Sequence, residues 1–305
     1  MNAPFELRPT SSSGPRRRRG GWEWGPVTDV KLRALSMGAG VQSTTLLMMA
    51  LDGEVGPRPD VMIFADTGDD SAATMAHLDW LEAQVRQRSN EMQVHRVSRG
   101  GRLSDRIRIR AEGRETRIAN DRFVSAPFFA LSKNGKIGQG RRQCTREFKV
   151  EPLERMQRQL LGYKPRERIP PRSCEVWIGI STDEVVRAGA AFSSWTVNRY
   201  PLLEMRMSRT DCERWLRDRG YPVPPKSACV FCPYKTYAEW RSFRDNDPEG
   251  WAQAVEIDRL VRNTPGMRAQ EFLHRSCVPL DQVDLSTAED RGQGMLDICE
   301  GGCGL

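Results

Sequence analysis

No stretch of this 305-residue chain is apolar for long enough to cross a bilayer, and no apolar signal core stands near its first residue. A cytoplasmic protein that does not engage membranes is the expectation. Internal repeats are missing, and so are the G-x-x-x-x-G-K-[ST] pattern of a kinase-type phosphate loop and a full G-x-G-x-x-G. Histidine is scarce, at three residues. His77 falls in an amphipathic helix and His95 in a strand, both structural positions; His274, close to Cys277 in "FLHRSCVPL", is the more open of the three.

Neither sign of charge dominates. Lys plus Arg exceed Asp plus Glu by 47 to 40, and "RRRR" at Arg16 to Arg19 supplies much of that excess. The run lies in "SSSGPRRRRGGWEWG", which has the composition of a disordered arm. Residues 1–30 are therefore expected to be a solvated tail, or an arm that contacts nucleic acid or another polyanion. The eight cysteines do not make a disulfide framework in a reducing compartment. Their grouping is more informative: Cys229 and Cys232 form a C-x-x-C, Cys299 and Cys303 a C-x-x-x-C, and Cys144, Cys174, Cys212 and Cys277 stand alone.

From residue 32 onward, short β-rich runs alternate with longer helical ones. "LRALS" (32–36), "VMIFA" (61–65), "VHRV" (94–97) and "VWIGI" (176–180) read as strands. "STTLLMMALDGE" and "SAATMAHLDWLEAQVRQ" carry helical spacing between them. Such alternation predicts a parallel sheet covered by helices, whose ligands collect beyond the carboxyl ends of the strands. Three loops fall there: "SMGAGVQS" after the first strand, "DTGDD" (66–70) after the second and "STDEVVR" (181–187) after the fourth. In the first, the glycines allow close approach and the hydroxyls of Ser36 and Ser43 suit phosphate, with the helix N-terminus behind them. A simple tight turn fits that loop equally well. Farther on, "SRTDCERWLRDRG" (208–220) has a helix-capping signature, "YPVPPKSACVFCPY" is a Pro-rich loop that places the C-x-x-C, and one helix is expected over "YAEWRSFRDNDPEGWAQAVEIDRLV".

The C-x-x-C supplies two thiolates suited to zinc or an iron–sulfur cluster. Cys144, upstream in "RRQCTREFKVEPL", is a candidate third, with Arg141, Arg142, Arg146 and Lys149 around it to offset negative charge. A pair of buried reduced cysteines is the plain alternative. A fourth ligand could be Cys299, Cys303, an exogenous group or substrate.

The order of Ser/Gly loop, "DTG", "CTREFKVEPL", a strand ending in "GI" and then "YPLLEMRMSRTDCERWLRDRGYPVPPKSACVFCPY" resembles the phosphoadenylyl-sulfate and adenylyl-sulfate reductase family. That family lies within the adenine-nucleotide α-hydrolases with a pyrophosphate-binding loop. The resemblance covers about residues 32–240 and implies an α/β fold with a doubly wound, mainly parallel, Rossmann-like sheet and a cysteine-bearing C-terminal extension. It implies a nucleotide-binding domain over 31–240, followed by a helical extension and tail over 241–305. Ser36, Gly38, Gly40, Gln42 and Ser43 map onto the pyrophosphate loop, and Asp66, Thr67 and Gly68 onto the second loop. Cys144, Cys229 and Cys232 map onto ligands of a [4Fe-4S] cluster, zinc being the second choice, and Lys149 onto a basic position. "CGL" (303–305) is similar to the family's catalytic C-terminal cysteine motif.

Two departures bear on the reaction. Gln143 stands beside Cys144 where the cluster-bearing reductases have a second cysteine, and Ser181 and Thr182 stand where they have two arginines. "DExxR" at Asp183, Glu184 and Arg187 resembles relatives that activate a substrate with ATP and then thiolate it. The expectation is an ATP-dependent sulfurtransferase, with Mg2+ a further candidate cofactor and nucleic acid a plausible acceptor. Lys149 or Arg187 would stabilise the leaving phosphate, and Cys299 or Cys303 would carry sulfur or ligate the cluster. The alternatives are a sulfonucleotide reductase with Cys303 as nucleophile and a thioredoxin-like reductant, and a non-catalytic nucleotide- or cluster-binding subunit. The sequence leaves the oligomeric state open.

Overall fold

The computed structural model describes residues 19–113, 126–287 and 290. Cys299, Cys303 and Arg16 to Arg18 lie outside them. No helix among the described residues is long and apolar enough to cross a membrane. The chain divides into two compact units, Met1–Leu103 with Cys144–Ala228 and Ser104–Gln143 with Cys229–Leu305. This differs from the boundary expected at residue 240: an internal segment, 104–143, joins the C-terminal part because their strands pair with each other.

The first unit holds β1 (Gly21–Trp22), β2 (Leu32–Met37), β3 (Val61–Asp66), β4 (Gln93–Ser98), β7 (Cys174–Ile178) and β8 (Thr196–Arg199). They form one sheet in the order β1-β8-β7-β2-β3-β4, every neighbour parallel. All four strands expected from the sequence are present, although the last ends at Ile178 rather than residue 180. Its helices are α1 (Val41–Asp52), α2 (Ala72–Arg88), α4 (Glu151–Leu160), α5 (Pro201–Glu204) and α6 (Arg209–Asp218).

Strand side chains alternate between two cores, as the two-residue period requires. Leu35, Met37, Met62, Phe64 and Trp177 pack with α1, α2 and α6, whereas Ala34, Val61, Ile63 and Val176 pack with Leu153, Met156 and Leu160 of α4. Helices thus cover both faces. Helix α1 is the central one, with ten buried residues. Its buried hydroxyls are satisfied: Thr45 Oγ1 donates to the Val41 carbonyl at 3.0 Å, and Thr44 Oγ1 and His77 Nε2 share a hydrogen bond at 2.9 Å.

The arm expected over 1–30 is not an arm throughout. Gly21–Trp22 extend the sheet beside β8, and the Val27 N–H donates to Glu175 Oε2 at 2.5 Å. Glu175 is fully buried in β7, where it also accepts from Trp177 Nε1 at 2.5 Å and lies 3.8 Å from Arg33 and 3.7 Å from Arg199. A carboxylate withdrawn from water needs such partners, and the segment around Val27 supplies one of them.

The second unit is built on an antiparallel sheet, β6-β5-β9, made of β5 (Phe129–Ser132), β6 (Ile137–Gln139) and β9 (Ala269–Phe272). Helices α3 (Leu103–Ala111), α7 (Tyr237–Asn246) and α8 (Pro248–Val261) complete it. Where one helix was expected over 237–261 there are two. Pro248 has no N–H to continue α7 and disfavours helical backbone at Asp247, whose φ and ψ are −139° and 73°; Asp247 then caps α8 by accepting from the Gly250 N–H at 2.9 Å.

Candidate functional site

From β2 the chain runs to β3 and β4 on one side, and later returns to β7 and β8 on the other. The sheet therefore switches direction between β2 and β7. A crevice at such a point is where open α/β sheets place ligands. The loops after β7, β2 and β3, three adjacent strands, are the ones the sequence singled out, and the structure brings them to one carboxyl edge.

The first loop is shaped by its own backbone. Gly38 is exposed and Ala39 adopts a left-handed φ of 55°; Gly40 is extended, and α1 starts at Val41. Ser43 was expected to offer its hydroxyl to phosphate. Here the hydroxyl is turned into the loop: Oγ accepts from the Gly38 and Gly40 N–H groups, both at 3.3 Å, and donates to the Gly40 carbonyl at 3.2 Å. Ser36 is half-buried at the end of β2. What the loop presents outward is backbone at the positive end of a twelve-residue helix.

The loop after β3 is held by its own carboxylates. Asp66 Oδ1 accepts from the Gly68 N–H at 2.7 Å, where Gly68 has a φ of 75°, and Thr67 Oγ1 donates to Asp70 Oδ2 at 2.9 Å. Asp69, which the sequence reading passed over, is buried and paired with Arg102 at 3.0 Å. A side chain at Gly68 would meet Arg102 Cγ at 2.8 Å, so glycine is required there for space as well as for backbone.

The third loop packs onto the first. A Cβ on Gly179 would stand 2.8 Å from the Ser43 nitrogen, and Gln42 Nε2 donates to Ser181 Oγ at 3.4 Å. Asp183 Oδ2 accepts from Ser181 Oγ at 3.2 Å and from the Arg209 N–H, at the start of α6, at 2.5 Å. Glu184 and Arg187 form an ion pair with each other. The acidic and basic residues assigned to chemistry here thus also fasten the loop.

Two polar atoms near these loops lack partners. Ser227 Oγ and Asp70 Oδ1 are buried without a hydrogen bond, and the Ser227 Cβ lies 3.7 Å from where a Gly40 Cβ would be. Ser227 reaches this loop from far along the chain, so no sequence motif pointed to it.

Cys144 opens a π-helical turn, Thr145–Val150, that runs directly into α4 and carries Lys149. Such turns recur at functional sites. Phe148 of this turn is buried, the Arg99 guanidinium lies 5.3 Å from its ring centroid, and Arg99 pairs with Glu147. Cys229 and Cys232, in the second unit, share one turn in which the Cys232 N–H donates to the Cys229 carbonyl at 3.0 Å. Both thiols are half-exposed, as is that of Cys144. Cys174, Cys212 and Cys277 are buried, and burial raises the pKa of each thiol, so these three suit packing rather than metal binding. Among the described residues, no three His, Cys, Asp or Glu side chains within either unit are gathered as a metal-binding group. Two thiols on one turn are nevertheless the soft donor set that zinc and iron–sulfur clusters take. The expected catalytic or carrier residues Cys299 and Cys303 lie outside the described residues.

Burial lowers the pKa of His77 to about 4, and burial with the neighbouring Arg275 charge lowers that of His274. Both imidazoles are neutral at pH 7. His77 braces α1 beneath the first loop; His274, the more open of the two from sequence, hydrogen-bonds Ser276 at 2.7 Å and packs edge-on against Tyr237. No family model matches the chain, and no curated protein matches it.

Proposed function

We propose that this chain is an iron–sulfur, adenine-nucleotide-binding enzyme of sulfur metabolism, an ATP-dependent sulfurtransferase that adenylates an acceptor oxygen and replaces it with sulfur. Nucleic acid is the proposed acceptor class. One observation carries the reading: the Gly38–Ser43 loop presents backbone at a helix N-terminus, at the switch point of a parallel sheet, with the loop after β7 pressed against it.

In the proposed reaction the acceptor oxygen attacks the α-phosphorus of ATP, and the bond to the bridging oxygen breaks as pyrophosphate leaves. A donor at the oxidation level of hydrosulfide then attacks the activated atom, whose bond to that oxygen breaks, and AMP carries the oxygen away. No electrons are gained or lost. The N–H groups of the loop and the charge of Lys149 or Arg187 oppose the negative charge that builds on the phosphates. Mg2+ would accompany the nucleotide. Cys229 and Cys232 would supply two thiolates to a [4Fe-4S] cluster or a zinc ion, with Cys144, Cys299 and Cys303 as candidates for the remaining ligands. When bound, that group supplies a position for the incoming sulfur.

The test is thermal unfolding of anaerobically purified protein with ATP, adenylyl sulfate and phosphoadenylyl sulfate side by side. A ligand at a hundred times its Kd adds about 2.7 kcal/mol to the folded state, and ATP is expected to give the largest shift. A larger shift with either sulfonucleotide replaces this reading with the reductase that uses Cys303 and a thioredoxin-like partner. No shift with any of them refutes the nucleotide site.

A further inference from the structure

The C-x-x-C turn has a buried cation behind it. Lys235, three residues after Cys232, is only 8% exposed. Its Nζ donates to the Cys229 carbonyl at 2.7 Å and to the Val230 carbonyl at 2.9 Å, and it lies 4.8 Å from the ring centroids of both Trp240 and Phe243. Val230, Phe231 and Trp240 are buried around it. A second cation borders the same loop, with the Arg142 guanidinium 5.1 Å from the Tyr234 ring centroid.

Taking an ammonium group out of water costs several kcal/mol before any partner is counted. Bracing a turn does not require that cost. The Cys232 N–H already closes the turn onto the Cys229 carbonyl, and a neutral amide could bridge the same two carbonyls. A charge placed there is accounted for if the turn itself becomes negative. Metal binding does this, because a cysteine ligates as the thiolate and two of them bring two negative charges to one turn. The aromatic faces of Trp240 and Phe243 hold the ammonium in place through their negative π-surfaces.

We infer that Lys235 is the positioning residue of the C-x-x-C site, a fixed positive charge that holds the turn in its ligating shape and stabilises thiolate-bound metal. This rests on the proposal that Cys229 and Cys232 bind metal. It adds a residue that neither composition nor spacing marked as functional.

The experiment compares full-length wild type with Lys235→Gln, Lys235→Met and Lys235→Arg, all purified anaerobically. Iron and zinc content, resistance of the metal to a chelator series and the thermal midpoint are measured for each. Gln retains amide donors for the carbonyls but no charge, Met removes both, and Arg keeps the charge. The expected result is metal held about 10–100-fold more weakly in the Gln and Met variants, the usual effect of losing a group that supports a ligand, with partial recovery in Arg. Weakening in Met alone overturns the role of the charge, as does wild-type retention in all three. A wild-type protein that carries neither iron nor zinc and takes up no added Co2+ overturns the metal site itself, and that failure appears before any variant is compared.

Discussion

Gly179 is the residue on which the proposed nucleotide crevice depends most directly. A Cβ there would stand 2.8 Å from the Ser43 nitrogen, 3.0 Å from Ser43 Cα and 3.1 Å from the Gln42 carbonyl carbon. These are backbone atoms of a helix buried along most of its length, so none can swing aside as a side-chain end would. Reaching ordinary contact requires the start of α1 or the end of β7 to move by several tenths of an ångström. Overpacking of this kind costs about 1–3 kcal/mol, and the stiffer unfolded chain of an alanine variant returns ~0.4–1 kcal/mol. A net loss of about 1–2 kcal/mol is expected for Gly179→Ala. The movement falls on the Ser43 amide and on Gln42, so nucleotide binding should suffer more than folding. Urea unfolding followed by circular dichroism, with and without ATP, reads both effects. Gly138→Ala, where an added Cβ meets nothing within 4 Å, serves as control and should change stability by less than ~0.5 kcal/mol. A Gly179→Ala protein that matches wild type in midpoint and in its response to ATP would refute the close approach of the two loops.

The His77 imidazole binds a proton with a pKa of about 4 in the fold against 6.5 as its ordinary value, so between those values the unfolded state holds more protons and stability must fall as pH falls. The loss at pH 5 relative to pH 7 is about 2 kcal/mol, and His77→Gln should flatten that part of the urea-derived pH profile. Glu175→Ala leaves Arg199 without one of its buried carboxylates and is expected to cost about 3–5 kcal/mol, with faster amide exchange around Val27 as its local signature. Asp258 is buried and accepts from the Leu273 and Leu280 N–H groups at 2.8 and 3.0 Å while pairing with Arg262. Asp258→Ala, read by chemical denaturation, should destabilise the second unit by about 3 kcal/mol, because two buried donors lose their acceptor.

The parts of the fold that were legible in the sequence are those whose signal is local. β2, β3, β4 and β7 are apolar runs bounded by turn residues, and Ser208 with Asp211 forms the capping box that the residues before α6 promised. β1 and β8 were missed because strands of two and four residues are too short for a period to register. They exist through the pairing with β7 and the bonds to Glu175. The hairpin of β5 and β6 did have a local signal, since "KNGK" places Asn134 and Gly135, the latter with a φ of 77°, between two short runs. β9 pairs with β5 from 140 positions away, and no window of sequence shows that. The break at Asp247–Pro248 was also legible, but the periodic spacing of apolar residues on both sides of it outweighed the proline.

The candidate site divides along the same line. Glycines and loop positions can be assigned from sequence because they answer to backbone geometry, which neighbouring residues impose. Polar side chains near a loop have two competing uses, and only the structure shows which is taken without ligand. Ser43, Asp66 and Asp183, all expected to face a nucleotide, spend hydrogen bonds on the loops that carry them. Polar atoms without partners, Ser227 Oγ and Asp70 Oδ1, belong to residues that the motifs did not select. A ligand that drew Ser43 Oγ outward would release the Gly38 and Gly40 N–H groups toward its own oxygens, exchanging one set of acceptors for another at little net cost. On this account the serine holds the loop in shape until phosphate arrives, and the binding energy resides mainly in the backbone N–H groups and the helix dipole.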